Sequence, residues 1–162
     1  MPSSVADRPS EAAARFGDEL ERGVLAAWDR LTLLLPGVPD PSARSLSAVA
    51  LFDGGGRPVV YPDGSNPIWM AGLATAVADV GDEPRALAVE CPDDLPLRPW
   101  AVGRRLECGL SAAVLVAAQP ASVAEPAARA VLALLAEWVA EVVSSHRATD
   151  AAAAAAHVVA SA

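Results

Sequence analysis

The chain reads as an α+β protein: a central antiparallel sheet flanked by an N-terminal and a C-terminal helix. Three observations predict this. Apolar residues recur every three or four positions near both ends, at Phe16, Leu20, Val24, Trp28, Leu31 and Leu35, and again at Val131, Leu134, Leu135, Trp138 and Val142. That spacing puts them on one face of a helix. Between these stretches lie short runs rich in β-formers, "LSAVALFD", "RPVVYPD", "PRALAVEC" and "LSAAVLVAAQ",. The first two runs are joined by a tight glycine turn, which pairs strands antiparallel. A doubly wound parallel sheet would instead need strict strand–helix alternation.

In chain order, residues 1–9 read as disordered. Ser10 is positioned to cap the first helix, and Pro36-Gly37 stop it. Strands are expected near Ala48–Asp53 and Pro58–Tyr61, with "DGGG" as the turn between them, because glycine takes positive φ without steric cost. Asn66 and Pro67 open a second helix that Gly81 ends. A third strand follows near Ala86–Cys91. The segment "PDDLPLRPWAVGRRLECG" is open to two readings, a loop with one helical turn around Trp100 to Leu106 or a further strand. Ser111–Gln119 is apolar throughout and reads as a central strand. The last helix begins at a capping box of Ser122 with Glu125, or at Pro126. Residues 10–147 thus form a single domain. The alanine-rich residues 148–162 are a tail or a helix extension.

Composition narrows the function. The 162 residues carry a formal net charge of −8, which disfavours a phosphate-backbone partner. All 12 basic residues are arginine, so no lysine exists for a Schiff base or a phosphate loop. No apolar stretch approaches the ~20 residues that span a bilayer. No secretory leader is read at the start. The expectation is a cytoplasmic protein with Cys91 and Cys108 reduced, no membrane partner, no nucleic-acid partner and no cofactor.

Chemistry-bearing motifs read as structural. The glycines after Asp53 lead into Arg57-Pro58 and a strand, not into Gly-Lys-Ser/Thr and a helix, so they form a hairpin turn and not a phosphate cradle. Cys108 has Arg104 and Arg105 nearby in sequence but no histidine in the expected core, and packing is the expected role of both cysteines. His146 and His157 lie near or beyond the end of the last helix. Asp93-Asp94, between Pro92 and Pro96, read as an exposed turn. No metal-ligand cluster and no catalytic set is expected, so the protein is read as non-enzymatic.

The hairpin "AVALFDGGGRPVVY", the run "RRLECGLSAAVLVA" and the closing "EPAARAVLALLAEWVAEVV" together resemble a small GAF domain, over about Ser45 to Val143. One departure is that "AAQPASVAEP" leaves no room for the further strand such domains carry before their last helix. The resemblance implies a GAF/profilin-like fold and a sensory, regulatory module. Its ligand pocket would be bordered by Trp69 and Trp100, with Tyr61 nearby and Arg104 able to meet an anionic ligand. The same element order also resembles the roadblock/longin group of dimeric scaffolds that regulate small GTPases and bind protein partners. On that reading "VGRRLECG" is a strand paired with "LSAAVLVAAQ". Under either reading the wide apolar stripes of the terminal helices predict a homodimer, with Trp28, Leu135, Trp138 and Val142 at the interface.

Overall fold

The computed structural model describes residues 11–34, 47–53, 56–61, 67–89, 99–106, 109–117 and 119–161, without the side chains of 11–16, 67–68 and 157–161. The elements run α1 (Glu11–Leu34), β1 (Ser47–Phe52), β2 (Pro58–Val60), α2 (Pro67–Val77), β3 (Arg85–Leu87), β4 (Trp100–Arg105), β5 (Ser111–Val116) and α3 (Ala121–Ser161). The strands form one antiparallel sheet in the order β2-β1-β5-β4-β3. The chain is therefore α+β, as the alternation of short strands and stripes implies.

The hairpin turn closes as expected. Asp53 and Arg57 pair through Asp53 N–H to Arg57 O at 2.9 Å, and the Asp53 carboxylate accepts from Arg57 N–H at 2.9 Å. Gly56 has φ +80°. A Cβ on it would stand 2.8 Å from the Ala74 carbonyl of α2, so glycine is required there by conformation and by space.

The open segment resolves into strand β4, which pairs along its whole length with β5, from Trp100↔Val116 to Arg105↔Ser111. The turn between them uses Gly109 at φ +74° and a Leu106 N–H to Leu110 O bond of 2.6 Å. Two strands are shorter than expected, for one reason. The first residues of β1 and β4, Ser47 and Trp100, both face Val116, so among the described residues β5 has no strand partner beyond that point. The edge strand β3 pairs only with β4, and its last pair, Leu87↔Ala101, lies one residue from the start of β4. Of its expected continuation to Cys91, Ala88 and Val89 lie outside the strand, and residues 90 and 91 lie outside the described residues.

Pleating splits the core in two. Val49, Leu51, Val102, Val114 and Val116 point to the face covered by α1 and α3. Ala48, Ala50, Phe52, Ala101, Ala113 and Leu115 point to the face covered by α2. Alanines there let the short helix α2 approach closely and seat Trp69, Met70, Leu73 and Val77 against the sheet. On the other face, Leu20, Val24, Ala27, Trp28 and Leu31 of α1 mesh with Ala128, Val131, Leu135, Val139 and Val142 of α3. Each fully buried Leu or Val contributes on the order of 2 kcal/mol of transfer free energy. Both ends of the chain thus close over one sheet face.

The start of α3 differs from the capping-box reading. Ser122 lies inside the first turn, and the Pro120 carbonyl accepts from the amides of Val123 and Ala124 at 2.9 Å each. That carbonyl starts the helix one turn earlier than Pro126, which sits exposed inside it. At the other end the helix runs on to Ser161. Alanine has the best helix propensity, and extending a formed helix avoids the cost of nucleation.

Candidate interaction surface

The residues expected to border a ligand pocket do not converge. Trp69, on α2, is 2% exposed and belongs to the core under that helix. Trp100, on β4, packs against the opposite core, so the sheet stands between the two indoles. The ring of Trp100 lies under the Arg129 guanidinium, 5.4 Å from its centroid, a cation–π arrangement,. Arg129 Nε also donates to the Glu125 carboxylate at 3.2 Å. Arg104 lies four residues along β4 from Trp100, on the same side of the strand, and its Nε donates to the Arg105 carbonyl at 3.3 Å. Tyr61, past the end of β2, is exposed. Cys91, Asp93, Asp94, Arg98 and Cys108, and the side chain of His157, lie outside the described residues.

The expected interface residues divide. Trp28, Leu135 and Val142 are buried within the chain at 6%, 1% and 4% exposure. The Trp28 indole N–H donates to the buried Ser47 hydroxyl at 3.0 Å, tying α1 to the start of β1. Trp138 alone of the four reaches the surface, at 37% exposure.

Trp138 is also the point where α3 locks onto α1. Its indole lies against Gly23, where a Cβ would overlap the Nε1 and Cδ1 atoms of the ring. Its N–H donates to the Glu19 carbonyl at 2.9 Å, and His146 Nε2 stands 2.8 Å from the Glu19 carboxylate. The two helices therefore run antiparallel, with Glu19 held twice by α3. One prediction follows from the overlap. Glycine to alanine in a helix interior ordinarily stabilises by about 1 kcal/mol. Gly23→Ala should instead destabilise, and should revert to stabilising in a Trp138→Ala background. Urea unfolding of the four proteins of that double-mutant cycle checks it; a stabilising Gly23→Ala in the parent protein would mean that the indole does not sit there.

Beside this lock a groove of about 240 Å³ opens between α1 and α3 on the side away from the sheet. Its α1 wall is built of Gly23, Ala26 and Ala27, and its α3 wall of Leu134, Leu135 and Trp138. Arg22 stands on the α1 rim, and Glu137 and Glu141 on the α3 rim. Leu134 is 45% exposed, and Leu25 and Leu33 of α1 are 40% and 79% exposed. Leu33 lies seven residues beyond Ala26, two turns along the same side of α1. Large apolar side chains at that exposure, gathered on one helix pair, are the mark of a contact surface. The sequence signal for it is the run of small residues at Gly23, Ala26 and Ala27 opposite a leucine that flanks the buried stripe.

A second, more polar recess of about 270 Å³ lies between the end of α2 and the edge strand β3, lined by Asp79, Val80, Arg85 and Leu87 among others. Among the described residues, no three His, Cys, Asp or Glu side chains gather as a metal site would require, and no helix is long and apolar enough to cross a membrane. Comparisons with protein-family models, curated proteins and solved structures give no match to this chain.

Proposed function

We propose that this protein is a non-enzymatic scaffold of the roadblock/longin kind, which works as a homodimer and binds a protein partner. The observation that carries the reading is β4. The scaffold resemblance required the segment around Gly103 to be a strand beside "LSAAVLVAAQ", and β4 pairs with β5 over six residues. The separation of the two indoles supports the same choice. A sensory module that binds a small molecule would bring Trp69 and Trp100 to one cavity, and here each is packed into its own core. A chain whose two sheet faces are both filled by its own helices acts through its outer surface.

Native mass spectrometry of the protein as purified tests the proposal. A dimer carrying no small-molecule adduct is expected. A stoichiometric adduct that leaves only on denaturation would overturn the scaffold reading in favour of the sensory one.

A further inference from the structure

We infer that the groove between α1 and α3 is the contact between two copies of this chain, with Leu134 of each copy seated in the groove of the other beside Ala26. The inference rests on the dimeric reading above and gives it a location.

Shape is the first argument. A two-fold contact is self-complementary: what one copy presents, the other must receive at the same place. The outer surface of the helix pair holds both halves of such a fit side by side. Leu134 stands out as a knob, and the α1 wall next to it offers only the small Ala26 at the surface, Ala27 being buried and Gly23 covered by the Trp138 indole. Knobs of one helix entering holes between small residues of another is how helices pack at close range.

Charge is the second argument, and it selects the symmetry. The rims have opposite sign, Arg22 on the α1 side and Glu137 with Glu141 on the α3 side. Among the described residues the side chains of these three make no hydrogen bond or ion pair within the chain. A two-fold axis through the groove exchanges the rims, so each Arg22 meets the two glutamates of the second copy. Placing like rims together would set arginine against arginine and four carboxylates against one another. The antiparallel, two-fold arrangement is therefore the one in which the charges agree. Leu33 lengthens the apolar surface along the same side of α1,.

The test measures the dimer dissociation constant of the full chain by sedimentation equilibrium for four proteins: the parent, Leu134→Asp, Arg22→Glu, and Arg22→Glu combined with Glu137→Arg and Glu141→Arg. Circular dichroism and thermal melting report the fold of each. The parent is expected to dimerise. Leu134→Asp should weaken the dimer about tenfold or more, the effect of losing one central contact. Arg22→Glu should weaken it, and the triple charge swap should restore it. A parent dimer unmoved by Arg22→Glu and by Leu134→Asp would overturn this inference and leave the dimeric reading standing. A monomeric parent would overturn both. If Leu134→Asp fails to fold, the charge-swap pair decides alone: loss and rescue support the contact, and no change refutes it.

Discussion

Replacing Gly103 by valine is expected to lower the unfolding free energy by about 3 kcal/mol, at the upper end of what overpacking a core costs. Gly103 stands in the middle of β4 with its α side under helix α2. A Cβ there would lie 3.0 Å from the Ala112 carbonyl, 3.0 Å from Leu87 Cδ1 and 3.3 Å from Val77 Cγ1. The leucine end can shift, but the Ala112 carbonyl belongs to the central strand and cannot. Two further methyl carbons must then displace α2 from the sheet. Gly103→Ala should cost less, since only one atom has to be accommodated. Urea unfolding with an unchanged m-value would register both as changes in midpoint. A Gly103→Val protein as stable as the parent would mean that α2 does not cover β4.

The second large effect is expected at Trp28. Removing a buried tryptophan side chain costs about 3–5 kcal/mol. Here the Ser47 hydroxyl, fully buried at the start of β1, also loses its indole donor. Trp28→Ala should therefore approach or exceed the upper figure, a large share of the ~5–15 kcal/mol that stabilises a domain. Trp28→Phe separates the two contributions. It keeps most of the packing and loses the hydrogen bond, a loss of about 1 kcal/mol, or a fall in melting temperature of roughly 2–4 °C for a domain of this size. Calorimetry of the two variants would check the pair. A phenylalanine variant as damaged as the alanine one would place the stabilising contribution in the hydrogen bond rather than in the packing.

The sequence made some of this legible for physical reasons, and hid the rest for others. α1 and α3 announce themselves because each has one apolar stripe and one polar flank, and the turn between β1 and β2 does so because glycine suits the positive φ observed at Gly56. β5 reads as central because it is buried on both faces, as observed. The same property hides β4. With Trp100 and Val102 against one core, and Ala101 and Gly103 against the other, the strand shows no alternation of polar with apolar residues, and its glycine and terminal arginines look like a loop.

The surface was legible only in part. Periodicity places Trp28, Leu135, Trp138 and Val142 on apolar stripes, but it does not say what covers a stripe. The sheet and the facing helix absorb three of the four. The surface that remains lies at Ala26, one step round α1 from its buried stripe, and at Leu134, which periodicity places on the α3 stripe without showing that this edge of it stays uncovered. Tyr61, Trp69, Trp100 and Arg104 were gathered by resemblance to a pocket-bearing family, and the pleat of the sheet sends the two indoles to opposite sides.

The central claim, that this chain acts as a ligand-free dimer through its outer surface, is tested most directly by the mass of the parent protein in solution at tens of micromolar. Sedimentation equilibrium should return twice the 16.5 kDa of a single chain, with no bound small molecule in the same sample. A single-chain mass across that concentration range would contradict the account.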